Sequence, residues 1–294
     1  MKSFFSISLS TLFLLSFNAY ALVDYSETVN DPNPKAMPNQ LTSKMPNAAR
    51  SESKSLIWKS DFSFATNYES MEIDADKIGV FNLNTHVQTP FNIYLDLTYW
   101  QAQEKLGSQS GNPKAIIGFN WLRFGSPADE AKFDFYGGGR FAGTSDLASS
   151  RTDKIFGVET TKRFGTFGLG LGYDISLTGA PKKEADMGIG NIHRIIVSGG
   201  WMVSNDIQFE IELENFKIAE SNDKSRANYL LKSVSFSTLS PKLNLTLVPA
   251  VNLELGARFK TNKAKLDQNL ASAKLFDLHG VYSNSLFAGL NFNL

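Results

Sequence analysis

Leu243 to Phe259 reads LNLTLVPAVNLELGARF, and every second position is apolar: Leu243, Leu245, Leu247, Pro249, Val251, Leu253, Leu255, Ala257 and Phe259. The residues between are mostly polar, small or charged, among them Asn244, Thr246, Asn252, Glu254 and Arg258. A period of two marks a strand with one apolar and one wet face. The run exceeds the usual soluble strand of about 3–10 residues, but suits a tilted strand that crosses a bilayer and protrudes beyond it. Pro249 withholds an amide donor from it. Because the alternation keeps its phase through that position, a bulge is expected there rather than a turn at Val248-Pro249-Ala250. The same pattern returns at the end of the chain, where SLFAGLNFNL alternates Leu286, Ala288, Leu290, Phe292 and Leu294.

The amino terminus has the parts of a secretory signal. Lys2 starts it, an apolar centre runs from Phe4 to Phe17, and Ala19-Tyr20-Ala21 supplies the small residues of a cleavage site. Cysteine is absent, which excludes a lipid-modified amino terminus, disulfides and thiolate metal sites. No later segment is an uninterrupted apolar run of the ~20 residues a spanning helix needs. For a chain sent to a membrane this leaves a closed barrel, because lipid demands that all backbone polar groups be satisfied internally. A mean hydropathy of −0.18 suits that solution, in which lipid-facing and lumen-facing residues average out. Lys and Arg number 29 and Asp and Glu 29; losing Lys2 with the signal leaves 28 against 29, so nucleic acid is not a partner the charge points to. The 23 Phe, 9 Tyr and 4 Trp are the rings that barrels place in girdles at the two interfaces.

Three regions follow: a signal peptide (1–21), a flexible periplasmic segment (22–54) and a barrel (55–294). The middle region is rich in Pro, Asn, Ser and charge and lacks the apolar pattern that packs, so it reads as a tail more than as a plug entering the lumen. The all-β part divides into twelve strand-like segments, near 56–67, 77–87, 91–103, 114–124, 131–142, 153–164, 166–178, 191–203, 206–218, 227–239, 243–260 and 275–294. An even count places both ends of the barrel on the periplasmic side. Short turn-forming links, such as Thr89-Pro90, Gly125-Ser126-Pro127, Gly165, Ser204-Asn205-Asp206 and Ser240-Pro241-Lys242, alternate with longer polar ones near 68–76, 104–113, 143–152, 179–190, 219–226 and 261–274. That alternation is the pattern of periplasmic turns and outer loops.

With these residues in view, the chain resembles the superfamily of bacterial outer-membrane β-barrels. Its SLFAGLNFNL is similar to the carboxy-terminal assembly signal of that group, although it ends in Leu294, with Phe292 two before it, where the group usually ends in Phe or Trp. The resemblance implies a closed antiparallel transmembrane barrel in a Gram-negative envelope, surrounded by outer-membrane lipid and inserted by the barrel-assembly machinery. It implies no activity.

If the apolar phase faces lipid, the other faces the lumen. That places inward Lys59, Asp61 and Ser63; Asn92, Asp96 and Thr98; Asp134, Tyr136 and Arg140; Glu159 and Arg163; Gly168, Gly170, Gly172 and Asp174; Asn252, Glu254, Arg258 and Lys260; and Asp277, His279, Ser283 and Ser285. The sharpest local feature is IQFEIELEN, which puts Glu210, Glu212 and Glu214 on one wall. Ionised carboxylates in apolar surroundings are prohibitively costly, so this ladder needs water, cations or basic partners. It fits one side of a cation-preferring pore; it equally fits a structural network with Arg194 on the preceding strand and with Arg258 and Lys260. The expected function is a narrow, porin-like pore for ions or small polar solutes with a mildly acidic lumen, with a plugged structural or surface-interaction barrel as the alternative.

A lipid-active hydrolase is the third reading. Nucleophilic catalysis needs a base in reach of a hydroxyl, and the histidines are His86, His193 and His279. His86 is read as a solvated residue beside a turn, and His193 as lipid-facing. His279, in HGVYSNS, resembles the His–Ser–Asn arrangement of outer-membrane phospholipase A and lipid A deacylase. Ser283, however, lies four residues on, roughly 13 Å at strand rise, so no direct hydrogen bond joins them along the strand. No enzyme activity and no cofactor are therefore expected. Three dispersed histidines give no metal-ligand spacing, and Asp74 and Asp76 read as part of a solvated outer loop.

Overall fold

A computed structural model describes residues 61–73, 76–104, 107–126, 129–260, 272–275, 278 and 284–293. The expected signal and tail, together with Lys59, Asp74, Asp277, His279 and Ser283, lie outside the described residues. Thirteen strands form among them: β1 (Asp61–Ile73), β2 (Asp76–Gln88), β3 (Ile93–Glu104), β4 (Gly107–Ser110), β5 (Lys114–Phe124), β6 (Ala131–Arg140) and β7 (Asp153–Phe164) make the first part of the sheet. β8 (Phe167–Leu177), β9 (Ile192–Ser204), β10 (Ile207–Ile218), β11 (Val234–Val248), β12 (Val251–Lys260) and β13 (Ser285–Asn293) complete it.

Twelve of these strands close into a ring of antiparallel neighbours, in which β2 pairs with β3 and β13 returns to β1. The short β4 is the extra strand: it pairs with the loop end of β3, Gln101–Glu104, while β5 pairs with Ile93–Thr98. Closure leaves no edge among the twelve strands of the ring, which is what a hydrocarbon surrounding requires.

The alternation read from the sequence becomes two faces. On β10, Phe209 and Ile211 are exposed on the outer wall while Glu210, Glu212 and Glu214 are buried inside. On β8, Gly168, Gly170, Gly172 and Asp174 point inward against Phe167, Leu169, Leu171 and Tyr173 outside. Exposed Phe91, Trp121, Phe124, Phe164, Phe167 and Trp201 gather near the short turns, as an interfacial girdle does. Two inward glycines make room for rings of neighbouring strands. A Cβ added to Gly118 would lie 1.9 Å from Tyr94, and one added to Gly157 would lie 2.2 Å from Tyr136.

Several boundaries differ from the sequence reading. The stretch that opened it is a hairpin, not one strand: β11 ends at Val248, Pro249 and Ala250 form the turn, and β12 begins at Val251. Leu245 faces Leu253 and Leu243 faces Leu255, so odd-numbered residues oppose odd-numbered ones; an irregularity between Thr246 and Val248 preserves that parity through the turn. The period of two therefore runs on unbroken across a chain reversal. Ser240-Pro241-Lys242, read as a turn, lies within β11. Its register to β12 passes from Leu239↔Phe259 to Lys242↔Gly256 without Ser240 or Pro241, where proline has no amide to give. The segment read as a strand at 227–239 is accordingly loop to residue 233. Asn92, read as an inward strand residue, sits in the turn before β3 with φ 60°, a left-handed conformation asparagine tolerates. The first outer loop, read at 68–76, is largely the hairpin of β1 and β2, and Asp76 opens β2.

Candidate functional site

The inner wall carries its charge in paired cross-strand positions. Glu210, Glu212 and Glu214 on β10 lie opposite Lys242, Ser240 and Thr238 on β11. Lys242 Nζ donates to Glu212 at 2.5 Å and lies 3.4 Å from Glu210, and the Thr238 hydroxyl donates to Glu214. Among the described residues each of the three carboxylates keeps one buried oxygen with no hydrogen-bond partner, and the Ser240 hydroxyl is in the same condition. Orphaned acceptors of this kind bear a desolvation cost that water or a cation relieves.

Arg194, expected to answer the ladder, does act on Glu214 through its charge, but its hydrogen bond goes elsewhere. It faces Asp174 on β8, to which its Nε donates at 2.6 Å, and Tyr136 donates to the same carboxylate at 3.1 Å. Arg140 pairs with Asp153 at 3.0 Å across β6 and β7. Asp134 accepts from Asn120 at 2.8 Å and lies directly opposite Glu159. Glu254 stands opposite Asn244 and Gly289, and Arg258, buried, lies 4.4 Å over the Phe287 ring. Asp61 opens β1 opposite Gln88. His86 is not a turn residue. It faces the lumen from β2, and its Nδ1 is 2.6 Å from Asp96 Oδ1.

At the loop end the lumen holds an apolar cluster that the sequence did not reveal. Strand residues Ile116, Tyr136, Ile155, Ile192, Ile196, Phe216 and Phe236 pack with Met187, Leu230 and Leu275 from three different loops. Ile116, Phe216, Phe236 and Leu275 are 0–1% exposed, whereas the lining of an open channel stays wet. The loops are tied to one another and to the wall. Met187 N donates to Ser272 O at 3.0 Å, Leu230 N to Gly188 O at 2.9 Å and Arg151 Nη1 to Ala273 O at 2.7 Å. Asp186 binds Lys274 at 2.7 Å and the Ser150 amide at 2.9 Å. Burial pushes the Asp186 carboxyl up, but Lys274 and Ser150 outweigh it and hold it below the usual carboxylate range.

Among the described residues no three His, Asp or Glu side chains form a group that could hold a metal ion. No known family model matches the chain, and no curated protein sequence is significantly similar to it. Solved structures do share its architecture. An outer membrane channel from Pseudomonas putida F1 is 11% identical, with a TM-score of 0.55 over 80% of this chain and 96% of that one. The NanC porin is 9% identical, with a TM-score of 0.52 over 79% of this chain and all (100%) of that one. The fold is that of bacterial outer-membrane β-barrels.

In this outer-membrane barrel fold, sequence reasoning located the acidic ladder but missed its partner, Lys242, because that residue was assigned to a turn. It missed the Arg151–Asp153–Ala273 tie as well. No local signal marks the Lys242 and Ala273 contacts, since they join residues far apart in the chain through strand register and loop docking.

Proposed function

We propose that the protein is an outer-membrane channel for ions or small polar solutes, with a preference for cations, held closed at its loop end by its own loops. The observation that carries this reading is the ladder: among the described residues Lys242 is the one cation bonded to Glu210 and Glu212, and each of Glu210, Glu212 and Glu214 retains an oxygen without a hydrogen-bond partner. Rows and rings of carboxylates favour cations. The likeness of fold to a channel and a porin supports the reading. In it the chain is exported by the signal at Met1–Ala21, inserted by the barrel-assembly machinery through its carboxy-terminal strand, and surrounded by outer-membrane lipid. A plugged structural barrel is the second reading, favoured by the dry cluster around Phe216, Phe236 and Leu275.

Planar-bilayer recordings under a salt gradient separate the two. Wild-type protein should conduct little, and Leu275→Asp, which places a charge in the apolar cluster, should raise conductance. In that opened background, changing Glu210, Glu212 and Glu214 together to Gln should move the reversal potential towards zero. An unchanged reversal potential would remove the ladder from selectivity. A folded Leu275→Asp barrel that conducts nothing would favour the structural reading.

A further inference from the structure

β1, β2 and β3 stand side by side, and the second inward row from their short-turn ends carries Ser63, His86 and Asp96, one step beyond the row of Asp61, Gln88 and Tyr94. Ser63 is the cross-strand partner of His86, and His86 is that of Asp96. His86 Nδ1 lies 2.6 Å from the Asp96 carboxylate, and the Tyr94 ring lies against the imidazole at 5.6 Å between centroids. Ser63 is 6% exposed, and its buried Oγ has no hydrogen-bond partner among the described residues. Directly opposed residues on antiparallel strands hold their Cβ atoms about 4.5–5.5 Å apart. A rotamer change therefore brings a serine hydroxyl into reach of an imidazole beside it.

In the tautomer that carries its proton on Nδ1, the imidazole donates to the Asp96 carboxylate and its lone pair lies on Nε2. Nucleophile, base and orienting acid thus follow one another across three strands, in the order acyl transfer requires. The next rung carries Asn84 and Asn291 on either side of Ala65, with side-chain N–H groups of the kind that stabilise an oxyanion. A purely structural His–Asp pair has no need of the third member. The Ser63 hydroxyl, buried without a hydrogen-bond partner among the described residues, bears a desolvation cost that a partner in a site would relieve.

We propose that Ser63, His86 and Asp96 form a hydrolytic site for small acyl esters inside the barrel, entered from the short-turn end. Ser63 Oγ attacks the acyl carbon as its proton passes to His86 Nε2. The tetrahedral oxyanion collapses, the C–O bond to the alcohol breaks, and the alcohol leaves with the proton held by His86. Water, giving a proton to His86, then attacks the acyl-serine, and the acid departs as the proton returns to Ser63. Asp96 orients the imidazole throughout. Ester and water are consumed, and acid and alcohol are formed.

The test uses the full chain folded in detergent micelles and a fluorophosphonate, a reagent that forms a covalent bond to activated serines. Peptide mapping of labelled wild-type protein should place a single adduct on Ser63. Ser63→Ala should lose the adduct and the hydrolysis of p-nitrophenyl butyrate, and His86→Ala should slow labelling by about a hundredfold. Both variants should keep the heat-modifiable migration of a folded barrel. An unlabelled folded wild type, or an adduct on another serine, overturns the proposal. Should Ser63→Ala fail to fold, the wild-type peptide map decides alone. Conductance is not read in this experiment, so its outcome is independent of the channel reading.

Discussion

Leu253 and Asn252 are adjacent in β12 and face opposite solvents. Leu253 stands opposite Leu245 and Leu290 in the apolar phase of the wall, while Asn252 stands opposite Thr246 and Asn291 in the polar phase. Arginine on the lipid face costs about 2–4 kcal/mol at the bilayer midplane and little near the interfaces. Leu253→Arg should therefore impair insertion more than Asn252→Arg, read as the fraction of protein with heat-modifiable migration. Equal effects would mean that the phase of β12 is reversed. Lys242 makes a second case at this scale. Truncating one partner of a buried ionic group costs roughly 3–5 kcal/mol, because the remaining charge is left uncompensated. Lys242→Met leaves Glu210 and Glu212 without their shared ammonium and should lower the urea midpoint. Adding Glu210→Gln and Glu212→Gln should restore much of the loss, and a midpoint unmoved by Lys242→Met would show that the carboxylates do not depend on it.

At the scale of elements, the loops between β8 and β9 and between β10 and β11 pack inside the lumen with residues 272–275 of the β12–β13 connection, tied by Asp186 and Lys274. A carboxyl whose folded pKa is depressed contributes stability that is present above its unfolded value, about 3.9, and lost as pH falls through the folded value. Acid below about pH 4 should thus loosen these loops before it unfolds the barrel, seen as new protease cleavages near residues 180–190 and 220–231. Asp186→Asn should show those cleavages at neutral pH and lose the acid dependence. Cleavage that rises with acid equally in both proteins would place the sensitivity elsewhere. The loop unit also marks where the sequence stopped being legible. Strand faces were readable because β10 and β12 alternate strictly and lipid tolerates few errors on one side. The reversal at Pro249-Ala250 was not, because the bulge beside it keeps the parity intact. The inward packing of Met187, Leu230 and Leu275 was hidden too, since single apolar residues in polar loops carry no period. His86 illustrates the same limit within the candidate site: its place near a turn was readable, but its partner lies on another strand.

The whole molecule has one junction that no local pairing supplies. Eleven of the twelve contacts in the ring join strands that are consecutive along the chain, save that β3 meets β5 past the short β4; the twelfth joins β1 to β13, uniting residues 61–73 with residues 285–293. That seam carries the entropic cost of closing the longest loop, a cost that grows only with the logarithm of its length. In return the β1 edge from Ser63 to Met71 and the facing edge of β13 gain partners where lipid offers none. The register there pairs Thr66 with Leu290 on the outer wall. Opposed residues in such a ladder have Cα atoms about 4.5–5.5 Å apart, within the range of about 4.4–6.8 Å that a disulfide spans. Because the chain has no cysteine of its own, Thr66→Cys with Leu290→Cys should oxidise to one intramolecular bond. The heat-denatured chain should then migrate as a compact loop until reductant is added. Thr66→Cys with Leu286→Cys, displaced by four residues or roughly 13 Å along the strand, should not link. Cross-linking of the displaced pair in place of the opposed one would set the seam in a different register, and failure of both in folded protein would mean that the barrel closes elsewhere.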